Sequence, residues 1–207
     1  LEAELVDGVE IQPLGVGRHE DVVGQVLEGY LVCEGEGRVV LVDQHAAQER
    51  VLFERLRAEQ ARAGVARDAL LVPEAITLER AEAAAVAEHV GALAAVGLEG
   101  EAFGEDTFLL RSVPRLLRGR DAGGLVRAVA TELLDQGTTT AAERVRDAAL
   151  ATIACHGAVR VGQRLDAMAI RALFEAMDLV DVNAHCPHGR PVAVELTRGQ
   201  IEALFRR

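Results

Sequence analysis

Apolar positions in the first part of the chain follow the patterns of β-strands. The stretch 22–35 alternates apolar and polar residues, as a strand with one buried face does. The Gly-rich segment 35–38 predicts a hairpin turn, and the apolar run 39–42 predicts the returning strand. Over 45–63 the apolar positions recur at helical spacing, and Gly64 follows the last of them. A strand therefore gives way directly to a helix.

The rest of the chain combines extended and helical patterns. Extended patterns cover 69–78, 106–114 and 192–196. Helical patterns cover 80–97, 123–137, a helix opened by Thr140 and Glu143 that runs to about 161, a helix capped by Asp166, and a last helix after Thr197. This order predicts an α+β fold. One piece holds both ends of the chain, and a middle piece of roughly 68–138 is inserted into it.

Composition narrows the class of protein. Half of the 207 residues are apolar but only 3% are aromatic, so Ala, Val and Leu must fill the core. The three cysteines are too few for a disulfide framework and indicate a reducing cytoplasm. We see no signal peptide and no apolar run approaching the roughly 18 residues of a membrane span, which predicts a soluble protein without a membrane partner. Because the chain does not begin with Met, we expect it to be a fragment of a longer protein.

The net charge of −11 bears on nucleic-acid binding. Phosphate binding depends on clustered Lys and Arg, so a domain this acidic should bind nucleic acid poorly by itself. If the protein acts on DNA, a cation, a partner or another domain of the parent chain must hold it there.

Side chains that can bind metal gather where the strand 39–42 becomes a helix. Asp43 ends the strand, and His45 and Glu49 are four residues apart and share a helix face. An imidazole and two carboxylates at such a junction could bind a divalent cation. The alternative is that Asp43 only caps the helix and that the other two lie on a solvated face. The stretch alone favours this alternative, because His-x-x-x-Glu is a weak signal and differs from the zinc-protease pattern His-Glu-x-x-His.

The segment 185–191, HCPHGRP, is the second concentration of such residues. Pro187 favours extended geometry at Cys186, so the side chains of Cys186 and His188 should point to the same side. A thiolate and an imidazole are good zinc ligands, and the guanidinium of Arg190 suits a phosphate. The alternative is a buried cysteine and a histidine in a turn. The density of these residue types favours a functional site.

Together the two clusters provide five side chains of ligand type, enough for one or two metal ions. Metal-assisted phosphodiester hydrolysis is the chemistry that such a set supports best. The chain has no Gly-x-Ser-x-Gly elbow, and it has no Walker A or Gly-x-Gly-x-x-Gly loop, which excludes an ATPase. A cysteine nucleophile at 155 or 186 would need a paired histidine base.

Four motifs in order resemble the signature of the endonuclease-type C-terminal domain of the MutL mismatch-repair family. They are Asp43-Gln44-His45-Ala46 followed by Glu49 and Glu54, then Ala154-Cys155-His156, then Cys186-Pro187-His188-Gly189-Arg190-Pro191, and finally Phe205-Arg206-Arg207. The resemblance extends from about residue 20 to the end of the chain. Family members that do not nick DNA lack these motifs, so the resemblance favours a nicking-competent member.

The resemblance implies a metal-dependent DNA-nicking endonuclease that is also a homodimerisation domain. Its dimerisation and catalytic subdomain would consist of 18–66 and 139–207, and 67–138 would be an external regulatory subdomain. The implied metal ligands are Asp43, His45, Glu49, Cys186 and His188. Arg190 and Arg207 would join the catalytic site, and Glu54, Cys155 and His156 would support it. Manganese would support nicking, and zinc would be structural or regulatory.

The implied partners are a second copy of the chain, double-stranded DNA bound weakly in isolation, the N-terminal ATPase half of the same protein and a mismatch-recognition protein. The protein would be cytoplasmic and would join the nucleoid when recruited. A sliding clamp would bind 68–73, where Asp68 replaces the usual Gln of the family's clamp-binding segment. His156 replaces the usual Arg or Lys of the second motif and carries only part of a charge near neutral pH. The alternative function is a dimerisation module with a structural or regulatory zinc site and no nuclease activity.

Overall fold

The computed structural model describes residues 4–6, 9–11, 21–136, 142–158, 164–180 and 190–206. The strands are β1 Glu4–Val6, β2 Val9–Ile11, β3 Asp21–Val26, β4 Tyr30–Gly35, β5 Arg38–Asp43, β6 Arg67–Thr77, β7 Glu99–Ala102, β8 Thr107–Pro114 and β9 Ala193–Thr197. The helices are α1 Gln44–Ala63, α2 Arg80–Glu88, α3 Val90–Ala95, α4 Ala122–Gln136, α5 Ala142–Gly157, α6 Ala167–Met177 and α7 Arg198–Leu204, with a 3-10 turn at Arg115–Leu117. The α+β class is confirmed. None of the helices in the described part of the chain is long and apolar enough to cross a membrane.

The chain divides into two compact units. The end unit is Leu1–Val51 with Ala158–Arg207, and the middle unit is Leu52–Gly157. One unit therefore contains both ends of the chain, as the order of the elements predicted. The functional subdomain boundaries after 66 and after 138 stay predictions.

The end unit is built around a four-stranded antiparallel sheet in the order β3-β4-β5-β9. Its core consists of Leu31, Cys33, Val40, Val42, Ala46, Ala47, Leu173, Met177 and Val192. Helix α6 supplies two of these residues, Leu173 and Met177. Asp166 caps α6, because its Oδ1 accepts the Ala169 N–H at 2.8 Å. The last part of the chain contributes strand β9 to this sheet.

The middle unit has a three-stranded sheet, β6-β8-β7, whose apolar face packs with helices α2 to α5. Phe108, Leu110 and Leu125 are among its most deeply buried side chains. In β6 the register shifts between Ala69 and Glu74, so the segment between them bulges out of the ladder.

Several predicted elements need correction. The stretch 22–35 is two strands, β3 and β4, joined by a turn in which Leu27 and Glu28 have φ of 48° and 57°. The stretch 80–97 is two helices that meet at His89. The fifth helix ends at Gly157 rather than near 161, and β7 was not predicted. The capping residue Thr140 lies outside the described residues.

Candidate metal centre

Asp43 lies where β5 ends and α1 begins, and it caps the helix. Its Oδ1 accepts the backbone N–H groups of His45 at 2.9 Å and Ala46 at 3.0 Å, which satisfies two donors of the first helical turn. The capping part of the alternative for this stretch is therefore correct. Asp43 Oδ2 receives no hydrogen bond from the part of the chain that the structure describes. Among the described residues, Asp43 therefore caps α1 through Oδ1.

His45 and Glu49 meet on one face of α1, as their spacing predicted. His45 Nε2 lies 3.0 Å from Glu49 Oε1. The Glu49 side chain is only 3% exposed, so the solvated-face part of the alternative is wrong. Removing a carboxylate from water is costly unless hydrogen bonds or a cation compensate for the lost hydration. The imidazole provides such a contact, and the nitrogen and oxygen atoms of this pair are also suitable zinc or manganese ligands.

A buried amide network holds the start of α1. Gln44 is 2% exposed, its backbone N–H donates to the carbonyl oxygen of Gly29 at 2.9 Å, and its Oε1 accepts from Gln25 Nε2 at 2.8 Å. Gln25 Oε1 in turn accepts the backbone N–H of Leu165 at 3.0 Å. These bonds fix the helix start between Asp43 and His45. The sequence analysis named Gln44 within the first motif but assigned it no role, and nothing in the sequence distinguishes Gln25.

Strand β9 brings the end of the segment 185–191 close to Asp43. The register pairs Val42 with Ala193, and the Asp43 N–H donates to the Val192 carbonyl oxygen at 2.9 Å. Arg190, two residues before Val192, is exposed. Three predicted site residues, Cys186, His188 and Arg207, lie outside the described residues.

The remaining candidates belong to the middle unit. Glu54 lies on α1 five residues after Glu49, which turns it by about 140° around the helix axis at 3.6 residues per turn. The two carboxylates therefore do not share a face. Cys155 is partly buried in the last turns of α5 and is not in a disulfide.

His156 forms the last turn of α5 beside Arg120. Burial lowers the pKa of His156 below its usual 6.5; the charge of Asp121 opposes this shift, and that of Arg120 adds to it. Arg120 Nη1 donates to the His156 carbonyl oxygen at 2.7 Å, and Nη2 donates to that of Gly157 at 3.3 Å. A guanidinium thus satisfies two carbonyls at the helix end, where a cation is favourable.

Comparison with known proteins finds one family over most of the chain. The family described as the MutL C terminal dimerisation domain matches residues 23–165. The DNA mismatch repair protein MutL of Phenylobacterium zucineum is 46% identical over 195 residues, which are 94% of this chain and 30% of that protein. The MutL proteins of Trichlorobacter lovleyi and Caulobacter vibrioides are 40% and 42% identical over 90% and 94% of this chain, and over 32% and 30% of their own lengths. The chain spans about a third of the length of the curated relatives it matches.

Proposed function

The chain belongs to the family of MutL C-terminal dimerisation domains of mismatch repair, and from this premise we propose that it is a metal-dependent DNA-nicking endonuclease and homodimerisation domain. The observation that carries the nuclease proposal is the pair of His45 and a buried Glu49 at 3.0 Å, on the helix that Asp43 caps. A cation site needs a carboxylate that is buried to this extent on a face with other ligand atoms. A solvated helix face has no need of a buried carboxylate.

Covalent connectivity supports adding Cys186 and His188 to this centre. Val192, whose carbonyl oxygen accepts the Asp43 N–H, follows His188 by four residues. An extended chain spans at most about 3.6 Å per residue, so the Cα atoms of His188 and Val192 can be at most about 14 Å apart. Cys186 precedes His188 by two residues and is therefore six residues from Val192. We therefore propose that Cys186 and His188 join Asp43, His45 and Glu49 as metal ligands.

The donor set fits both metals that the family resemblance implies. Zinc takes thiolate, imidazole and carboxylate ligands, and manganese prefers the oxygen donors of the set. When bound, such an ion polarises a phosphodiester and lowers the pKa of bound water, so that a nucleophile forms near neutral pH. Around it, exposed Arg190 would bind a phosphate oxygen through its fork of N–H donors. We assign Arg207 to the same phosphate, and Glu54, Cys155 and His156 to supporting roles.

We further propose that the end unit forms the homodimer. Within the described residues β3 pairs only with β4, which leaves it at the edge of the sheet. Val23 and Val26 on this strand and Leu27 in the following turn are 65%, 42% and 84% exposed. An apolar sheet edge of this kind is unfavourable in water and suits burial against a second copy. A stable dimer interface would bury about 2,000 Å² or more in total.

A sliding clamp is a second proposed partner, which would bind at 68–73. Leu71 and Val72 in the β6 bulge are 103% and 77% exposed, so two neighbouring apolar side chains are available to an apolar pocket. Asp68 is held instead by Arg115, whose Nε lies 3.3 Å from its Oδ1. The apolar residues would therefore supply the contact that Gln makes elsewhere in the family. The other proposed partners are the ATPase half of the parent protein and a mismatch-recognition protein. We also propose that the protein is cytoplasmic and joins the DNA of the nucleoid when recruited.

Asp43→Asn tests the nuclease proposal. Asn caps helices about as well as Asp, so α1 should keep its start while the site loses one anionic ligand. Purified wild type should nick supercoiled plasmid with manganese, and the variant should not, with unchanged melting and dimerisation. Full activity in Asp43→Asn, with contaminating nuclease excluded, would favour the alternative: a dimerisation module with structural or regulatory zinc.

A further inference from the structure

Arginine supplies all of the positive charge of this acidic chain: it has 22 arginines, no lysine and a net charge of −11. In the described part of the middle unit, several exposed arginines are each matched with one carboxylate. Arg80 pairs with Glu105, and Arg111 pairs with Glu101. Pairs of this kind leave little net field for an approaching polyanion.

One cleft in the middle unit departs from this pattern. It has a volume of about 240 Å³ and is lined by Leu52, Arg55, Leu56, Glu59, Val65, Ala66, Arg115 and Leu116. Its floor is apolar, and two guanidinium groups stand at its sides. Arg55 is exposed and makes no ion pair with the residues that the structure describes.

Two further arginines lie beside this cleft. Arg118, with a side chain 80% exposed, shares Asp68 with Arg115; their Nε atoms lie 3.6 and 3.3 Å from its two oxygens. One carboxylate therefore serves two cations. Arg120 donates to the carbonyl oxygen of Gly157, and this contact does not neutralise the charge of the guanidinium group.

Gly157 connects Arg120 to the cleft. A Cβ built on this glycine would lie 2.8 Å from Leu116 Cδ2 and 3.4 Å from Leu52 Cδ1, and both leucines line the cleft. Two of the four arginines line the depression, and the other two are linked to it through Asp68 and Gly157. Among the described residues, Glu59 in the lining, Asp68 in the ion pairs and Asp121 next to Arg120 set three carboxylates against these four guanidinium groups.

We propose that the arginine cleft, defined by Arg55, Arg115, Arg118 and Arg120, binds the phosphodiester backbone of DNA. The inference rests on the proposed function, since it supplies that site with its polymeric substrate. Guanidinium groups form forked hydrogen bonds to phosphate oxygens, and the apolar floor suits the sugar face of a nucleotide. Contacts to phosphate and sugar alone predict binding without sequence preference.

Salt dependence of DNA binding tests the proposal. Removing one arginine that binds a phosphate should reduce the slope of log Kd against log salt by about 0.9 for duplex DNA. Arg55→Gln with Arg118→Gln removes two exposed guanidinium groups and leaves the pair of Arg115 and Asp68 in place. In the full 207-residue chain, without added manganese, the double variant should lower the slope by about 1.8 on a labelled linear duplex of any sequence.

The matched control is Arg80→Gln with Arg111→Gln. This control makes the same change in net charge within the same unit, but each of its two arginines is paired with its own carboxylate. The slope of log Kd against log salt should therefore stay at the wild-type value. Equal slopes for the wild type and the cleft variant, equal reductions in both variants, or no salt-dependent binding by wild type would each overturn the inference. Plasmid nicking by wild type is measured in parallel. Binding with the expected slopes but without nicking would refute the proposed nuclease function and leave the arginine cleft intact.

Discussion

Glu49→Gln separates a metal ligand from a structural ion pair, because the stability gained from zinc depends on the Glu49 carboxylate only if it is a ligand. The substitution keeps the size of the side chain and removes its charge. Glu49 is 3% exposed and lies 3.0 Å from His45 Nε2, so the change acts on a buried contact. Zinc is the probe, since it is redox-inactive and binds the same donor types.

The expected effect without metal is small. With a protonated imidazole, a contact at 3.0 Å is worth about 5.5 kcal/mol at an effective dielectric constant of about 20. Glutamine avoids the desolvation cost of a buried carboxylate, which is several kcal/mol, and His45, whose side chain is 21% exposed, is not left as an uncompensated buried charge, so the loss and the gain nearly cancel. We therefore expect the free energy of unfolding of metal-free Glu49→Gln to lie within about 1 kcal/mol of wild type.

The expected effect with metal is large. Zinc at one hundred times its Kd should stabilise wild type by about 2.7 kcal/mol, a rise in melting temperature of about 5–11 °C for a chain of this size. Loss of one anionic ligand that weakens zinc binding about a hundredfold would leave a gain of only about 0.4 kcal/mol at the same zinc concentration.

Thermal unfolding of wild type and Glu49→Gln, each with and without zinc, measures the four stabilities that this comparison needs. Glu175→Gln on α6 is the matched control, since Glu175 is exposed and should keep the full zinc response. The reasoning is refuted if metal-free Glu49→Gln loses about 3 kcal/mol or more while zinc leaves wild type unchanged. That result would make the pair of His45 and Glu49 a structural ion pair, because breaking a buried pair costs about that much.

Three other predictions test the middle unit. Gly100→Ala should destabilise the protein by about 1–3 kcal/mol in urea unfolding, because its Cβ would lie 2.5 Å from the buried Phe108 ring, whereas Gly91→Ala, with nothing within 4 Å, should be neutral or stabilising. Burial lowers the pKa of His156 in the folded state, so the unfolded state binds a proton at this residue more readily. The stability contributed by the neutral His156 is therefore complete above about pH 6.5 and is lost as the pH falls through the folded-state pKa. Between pH 8 and pH 5 the free energy of unfolding should therefore fall less steeply in His156→Gln than in wild type. Parallel curves for the two proteins would contradict this assignment. Leu71→Ala should abolish capture by an immobilised sliding clamp while changing stability by less than about 0.5 kcal/mol, since the side chain is fully exposed; unchanged capture would remove 68–73 as the contact.

Local signals in the sequence determined many of the elements. Helix α1 was predictable because its apolar spacing is helical and Gly64 follows it, with φ of 82°. Asp166 was predictable as a cap because capping depends on a side chain and a backbone group three residues apart. Such interactions lie within one turn of the chain, so the sequence pattern encodes them directly.

Tertiary contacts decided the elements that were mispredicted. The turn between β3 and β4 places Leu27 and Glu28 at positive φ, which is typical of Gly or Asn, so no turn residue marks it. The pairing of Val26 with Tyr30 imposes that turn. Strand β7 has no apolar alternation and exists because it completes a ladder with β8.

The candidate site divides in the same way. The spacing alone predicted that His45 and Glu49 share a face, because helical geometry places residues four apart together, whereas their proposed role as metal ligands with Asp43 came from the family resemblance. The burial of Glu49 and the hydrogen bond from Asp43 to Val192 were decided by the fold. That bond extends the pairing of β5 with β9, which lie near opposite ends of the chain. Backbone groups pair without regard to side-chain identity, so no local pattern in the sequence shows which strands will meet.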